Sequence, residues 1–388
     1  MKSFSKRLEA IEPSKIKIDS SSLKDPEVIS LSIGEPDFTT PWSFRQAGIE
    51  AIQEGYTFYA DGMGLPALRK GIAEYLKHNY SLSYDPRGEI LVTVGASQAI
   101  DLALRALLND GDEVIIPEPA YPSYAPMVEL CGGVVKFVPL KEDNGFVLDH
   151  ARLEKAITPK TKALIINYPH NPTGAVLDEE AAKKIADVII KHDLYLITDE
   201  IYSALSYEGK HFSIASIDGI KERCIYINGF SKAFAMTGWR LGYVASSKEI
   251  VSRMMKINQY SMLSAPTISE FAGYSAITSD GTDTKKMRDA YNLRRVYLIG
   301  ALKDMGLDCY TPQGAFYVFP SISKFNISSD EFVSRLFKDK KLLLISGSAF
   351  GAVGEGYVRI SYAYSIEKLK EGMKRLQEFI ATLSADSK

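Results

Sequence analysis

The sequence predicts an α/β fold, a large unit built on a mostly parallel sheet covered by helices, joined to a smaller α+β unit. Three observations point there. Short apolar runs at 89–94, 113–116, 134–138, 162–166, 194–198 and 223–227 alternate with stretches of helical spacing such as 178–191. Strands alternating with helices imply right-handed βαβ units and a sheet buried on both faces. The 388 residues, 46% hydrophobic and 24% charged, suffice for two domains of an ordinary globular protein. Beyond about residue 290 the βαβ alternation fades, which divides the chain into an N-terminal arm with part of the small domain (1–41), a large domain (42–290) and a small C-terminal domain (291–388).

Composition excludes several classes of function. A formal charge of −2 and the lack of a basic cluster give no reason to expect nucleic acid. No apolar run approaches the eighteen or so residues that span a bilayer, and residues 1–22 are too polar for a signal peptide. Cys131, Cys224 and Cys309 are widely spaced and odd in number, a pattern of neither a disulfide framework nor a zinc site. The expectation is a cytoplasmic protein without a metal.

The elements follow in order. Residues 1–30 read as a charged arm, and the β run 29–33 breaks at Gly34-Glu35-Pro36. Helical spacing at 43–53 and 65–77 brackets an aromatic and glycine-rich loop, 56–64, that contains Tyr59. After the strand at 89–94, Gly95-Ala96-Ser97-Gln98 opens an apolar helix to 108. Such a turn is either an anion site, where free N–H groups and the helix dipole face a phosphate, or an ordinary βα junction. The strand 113–116 meets Pro117, Pro119 and Pro122, which predict its end and a rigid loop carrying Tyr121. Residues 250–259 and 267–305 read as helices, with Arg288, Arg294 and Arg295 on a solvated face. Segments 307–320, 342–345 and 357–361 look β-like, and 366–383 forms an amphipathic closing helix.

Ligands of parallel sheets bind beyond the carboxyl ends of the strands. Asn171, Asp199 and Lys232 each stand where such a run ends, so three different chemistries converge on one edge. Lys232, flanked by small and apolar residues, is partly desolvated, which favours an amine nucleophile. Ser231 and Arg240 offer a hydroxyl and a guanidinium for a phosphate. Asp199 requires a cationic partner or serves as a helix cap. Arg359, alternating with Val358 and Ile360, is an edge ion pair or a bidentate carboxylate clamp.

Four motifs in this order, Asn171-Pro172-Thr173-Gly174, Asp199-Glu200-Ile201-Tyr202, Ser231-Lys232 through Arg240, and Arg359, resemble the class I aminotransferases of the aspartate aminotransferase superfamily, in the aspartate/aromatic subgroup. The resemblance runs from about residue 32 to 362. It implies fold type I of the pyridoxal-phosphate enzymes, with a seven-stranded sheet, and transfer of an amino group from an L-amino acid to a 2-oxo acid such as 2-oxoglutarate. Pyridoxal 5′-phosphate would be held as a Schiff base on Lys232, which also moves the proton. The resemblance puts Asp199 on the pyridine nitrogen and Asn171 and Tyr202 on the phenolic oxygen. Tyr121 would stack on the ring, with Ala96, Ser97, Ser231 and Arg240 around the phosphate. Gly34, Asn171 and Arg359 would face the substrate carboxylate. Tyr59 matches a position that reaches the neighbouring subunit's phosphate, which implies a homodimer with shared sites. His170 departs from the family pattern and carries no assigned role.

Acidic-substrate members place a lysine in the turn that reads Gly95-Ala96-Ser97 here, or an arginine in the segment 259–266, and neither is present. Aromatic or other uncharged donors are therefore expected. Aspartate transamination and a C–S lyase or other eliminating activity remain alternatives, because the cofactor motifs do not separate them. A ligand-sensing regulator is disfavoured by the absence of an N-terminal DNA-binding region.

Overall fold

The computed structural model of the chain describes residues 3–9, 11–13 and 25–386. Of the arm expected over 1–41, residues 1, 2, 10 and 14–24 lie outside the described residues. In chain order the strands are β1 (Ile29–Ser30), β2 (Ile90–Thr93), β3 (Glu113–Glu118), β4 (Val134–Pro139), β5 (Thr161–Asn167), β6 (Tyr195–Asp199), β7 (Cys224–Gly229), β8 (Gly242–Ala245), β9 (Tyr317–Val318), β10 (Leu342–Leu343), β11 (Ile345–Ser346) and β12 (Val358–Ser361). The central sheet has seven strands in the order β2-β8-β7-β6-β5-β3-β4. Its pairs are parallel except for β8, which runs antiparallel to both neighbours.

Alternation within each strand decides what covers the sheet. Leu164, Ile166, Leu196 and Tyr226 face a core shared with helices Pro66–Tyr80, Glu179–Lys191 and Thr267–Ile277. Ala163, Ile165, Ile197, Ile225 and Ile227 face the opposite core, with helices Gly95–Leu107 and Lys248–Ser261. Both faces are apolar, so strands without polar positions are stable only in the middle layer of three. The carboxyl ends of β2, β3, β5, β6 and β7 lie along one edge, where Asn167 and Asp199 end β5 and β6.

A third core gathers Tyr291, Leu298 and Leu302 from helix Thr282–Asp304, Phe332 and Leu336 from Ser329–Lys340, and Leu369, Leu376 and Phe379 from Ile366–Asp386. Against it lies an antiparallel sheet with β12 between β11 and β9, and β1 pairs in parallel with β10. Residue 290, where the sequence pattern changes, falls inside helix Thr282–Asp304.

Several sequence expectations need correction. β3 does not stop before Pro117 but continues through it to Glu118. Glu113 N–H reaches Lys160 toward β5, and Glu118 C=O accepts from Leu140 toward β4, so by alternation Pro117 faces β5. The β3–β5 ladder has already ended at Ile115, and the missing proline donor interrupts nothing. The region 307–320 is mostly not a strand, because Gln313 and Gly314 N–H groups both bond to Gly174 O and only Tyr317–Val318 joins a ladder. The long helix expected over 267–305 breaks at 278–281, where Gly281 takes φ +76°. Arg295 is buried, donating to Glu208 and Pro312 O, and Arg294 pairs with Asp37 at 2.8 Å, so only Arg288 of the three is as solvated as expected.

Candidate active site

A cavity of about 340 Å³ opens at the carboxyl edge of the central sheet, lined by Ala96, Tyr121, Asn171, Asp199, Lys232 and Arg359 among others. Lys232 sits on the single helical turn Phe230–Ala233 that follows β7. Its Nζ donates to Gly34 O at 2.6 Å and lies 5.8 Å over the Phe316 ring. Burial lowers its pKa to about 8, with the charges of Arg359 and Arg240 adding to the effect and Glu35 and Asp199 opposing it. A sizeable fraction of the amine is therefore unprotonated near neutrality.

Asp199 ends β6 on the cavity floor and is 5% exposed. Tyr124 Oη donates to its Oδ2 at 2.7 Å and Ile201 N–H to its Oδ1 at 3.2 Å. Desolvation raises its pKa to about 6 despite these bonds. The helix-cap role open in the sequence is absent, since the carboxylate meets a two-residue turn rather than a helix. Asn167, at the end of the neighbouring β5, donates to Asp199 O and accepts from Asn171 N–H, which fixes the loop that holds Asn171.

Arg359 points away from Val358 and Ile360, which enter the third core, as its place in the strand demands. The guanidinium is buried and donates to Asn171 Oδ1 at 3.0 Å and Ser32 O at 2.6 Å, while Nε has no partner. It stacks 4.5 Å over Tyr317 and 4.9 Å over Phe350. A buried guanidinium facing a cavity with an unused donor suits a carboxylate ligand.

The same cavity is lined by the start of helix Gly95–Leu107, by Ser231 and by the exposed Arg240. Gly95 has φ +72°, and a Cβ there would come within 2.8 Å of Arg240 Nη2, so only glycine lets the guanidinium approach the turn. Gly34 is constrained similarly, because an added Cβ would meet the Tyr317 hydroxyl at 2.2 Å.

Eleven of the twelve site residues expected from sequence line this cavity, and Tyr59 does not. Tyr59 is 84% exposed, beside Phe58 at 83%, on the loop before helix Pro66–Tyr80. His170 is buried and bonds through Nδ1 to Thr173 Oγ1 at 2.7 Å, and burial lowers its pKa to about 3, so it is a neutral part of the turn. Sequence reasoning missed Tyr124, Asn167, Ser32 and Tyr317. Asn167 carried the same signal as Asp199, a polar residue ending an apolar run, and Tyr124 shares the turn of Tyr121. Ser32 and Tyr317 carried none, since both reach the site from distant segments.

The donor set fits pyridoxal phosphate on grounds of this structure alone. Asp199 is a desolvated carboxylate with no cationic partner closer than the cavity, a match for a protonated ring nitrogen. Lys232 offers an amine for the aldehyde, and the glycine turn with Ser231 and Arg240 offers a cradle for phosphate.

Comparison with known proteins agrees with this geometry. Residues 26–376 match the family model described as aminotransferase class I and II. The chain is 46% identical to the aspartate aminotransferase of Pyrococcus abyssi, over 97% of this chain and 98% of that one. It is 44% identical to aromatic-amino-acid aminotransferase 2 of Thermococcus litoralis, with the same coverage. The crystal structure of an aromatic aminotransferase from Pyrococcus horikoshii superposes with a TM-score of 0.92 at 44% identity, covering 97% of this chain and 98% of that one.

Proposed function

The chain belongs to the aminotransferase class I and II family, and from that premise we propose how its cavity moves an amino group from an amino acid to a 2-oxo acid. Membership implies dependence on pyridoxal phosphate, and the elimination chemistry left open by the motifs is not favoured, since the relatives are named as aminotransferases. The observation that carries the assignment is the desolvated Lys232 in one cavity with Asp199, Arg240 and Arg359.

When bound, the cofactor supplies an aldehyde for the amino group and a cationic ring that draws electrons from the substrate Cα. Asp199 would hold the ring nitrogen protonated. Tyr202 and Asn171 would donate to the ring oxygen, and Tyr121 would cover the ring face. Ala96 and Ser97 backbone N–H groups, Ser231 and Arg240 would hold the phosphate. Arg359 clamps the α-carboxylate beside Gly34, which orients the Cα–H bond toward Lys232. Once its amine is free, Lys232 would take that proton and release it again, serving as both base and acid. Its pKa near 8 keeps both protonation states accessible.

Among the described residues, the cations lining the cavity are Lys232, Arg240 and Arg359, and each already has a partner in this scheme. A second substrate carboxylate would be buried without one, at a cost of several kcal/mol. The relatives' names divide between aspartate and aromatic donors at similar identity, so the donor assignment rests on the cavity, and it favours aromatic or other uncharged amino acids. Borohydride reduction of the holoenzyme should fix the cofactor to Lys232, and Lys232→Ala should fold, fail to trap it and not turn over. A higher kcat/KM for aspartate than for phenylalanine, tyrosine, leucine and methionine would refute the donor assignment.

The exposure of Tyr59, Phe58 and Tyr260, at 84%, 83% and 90%, supports a homodimer in which Tyr59 completes the partner's phosphate site. Dilution below the dimer dissociation constant should then release cofactor and activity together. Tyr59→Phe should weaken cofactor binding by about 1–3 kcal/mol. Sedimentation that found a fully active monomer would rule this out. We place the enzyme in the cytoplasm, where a reducing environment suits its free cysteines.

A further inference from the structure

Tyr317 enters the cavity from β9, where it pairs with Ser361 of β12, so it shares a sheet face with Arg359 two residues earlier on that strand. Its hydroxyl lies 2.7 Å from the hydroxyl of Tyr202, and both rings are buried. Two neutral hydroxyls in contact share one hydrogen, and the question is which residue donates it.

The surroundings answer it. Among the described residues, the Tyr317 hydroxyl has no hydrogen-bond partner except Tyr202. Its other side is packed against the Cα of Gly34, which offers no acceptor. If Tyr202 donated, the Tyr317 hydrogen would turn toward Gly34 and meet no acceptor, at the desolvation cost of the group. If Tyr317 donates, the Tyr202 hydrogen is free to turn to the cavity. The Arg359 guanidinium, 4.5 Å over the Tyr317 ring, opposes the rise in the Tyr317 pKa that burial causes.

We propose that Tyr317 is a positioning residue, which donates its hydroxyl hydrogen to Tyr202 and so aims the Tyr202 hydrogen at an acceptor oxygen of the bound cofactor. The small sheet then sets both the carboxylate clamp and the direction of the Tyr202 hydrogen bond. Hydrogen bonds in series polarise one another, so the Tyr202 bond is strengthened as well as aimed.

The proposal rests on the assignment of Tyr202 as a donor to the cofactor, and the experiment separates the two. The absorbance of bound cofactor is titrated with pH in the wild-type holoenzyme, Tyr202→Phe and Tyr317→Phe. The Tyr317→Phe variant keeps the ring that stacks on Arg359 and loses only the hydroxyl. Tyr202→Phe should move the titration midpoint most. Tyr317→Phe should move it in the same direction by a smaller amount, roughly a few tenths of a unit to one unit. A packing role alone would lower the melting temperature or cofactor affinity without moving the midpoint, and that result overturns the proposal, as does a movement in the opposite direction. A Tyr202→Phe midpoint equal to wild type overturns the assignment of Tyr202 and the proposal with it.

Discussion

Two regions of the molecule each bury a carboxylate. At the end of β6, Asp199 is 5% exposed with its pKa raised to about 6. In helix Thr267–Ile277, Glu270 is fully buried with its pKa raised to about 7. Desolvation is the first cause in both. The difference lies in what surrounds them. Asp199 has donors on both oxygens and borders a cavity. Glu270 accepts one bond, from Leu65 N–H, its Oε1 has no partner, and its charged neighbours are Asp61 and Arg69, of which Arg69 is committed to Gly64 O and Pro86 O. A perturbed carboxylate is therefore not by itself a functional site. It becomes a candidate when it has open space in which to receive the cation it lacks.

If that distinction is right, Asp199→Asn should lose about 10²–10³-fold in turnover, because a neutral amide no longer stabilises a cationic ring nitrogen. Glu270→Gln should turn over normally. Equal losses in kcat from the two variants would erase the contrast.

Stability should respond oppositely. For Glu270 the folded pKa exceeds the ordinary 4.5, so the folded state binds more protons between about 4.5 and 7 and stability falls as pH rises through that window. Glu270→Gln removes a buried charge above pH 7 and should stabilise the protein there by about 1–3 kcal/mol, with little change near pH 4. Thermal melts at pH 5 and 8 check it, and a Glu270→Gln melting temperature that drops at pH 8 would show that the carboxylate is doing something its contacts do not reveal.

Cofactor affinity should carry the signature of Asp199 alone. The ionised carboxylate is the binding form, so affinity should weaken by up to about tenfold per unit as pH falls below about 6. Asp199→Asn should flatten this profile, and Glu270→Gln should leave it intact. The smallest effect concerns Tyr124, whose hydrogen bond lowers the Asp199 pKa. Tyr124→Phe makes Asp199 resemble Glu270, with one donor lost, and should move the affinity midpoint upward by less than about one unit. A profile identical to wild type would mean that the bond does not influence titration.

The same comparison explains what was legible beforehand. Asp199, Asn171 and Lys232 stood out because each polar residue ends or closely follows an apolar strand, and the parallel sheet that puts those ends on one edge follows from the βαβ alternation. Glu270 was invisible, since a glutamate in a helix reads as a solvated face until the packing around it is known. Arg295 was misjudged for the same reason, and so was the extent of β3, because which neighbour Pro117 faces depends on strand order.

By itself, the sequence determined the α/β class and the motifs that gather Asn171, Asp199 and Lys232 at one edge of the sheet, because those depend on periodicity and on residue types placed at short range along the chain. Only the tertiary structure decided that Tyr317, Tyr124 and Ser32 join the site and that Arg359 reaches Asn171. These contacts link segments far apart in sequence, and the geometry that brings them within hydrogen-bond distance arises only when the separate cores pack together.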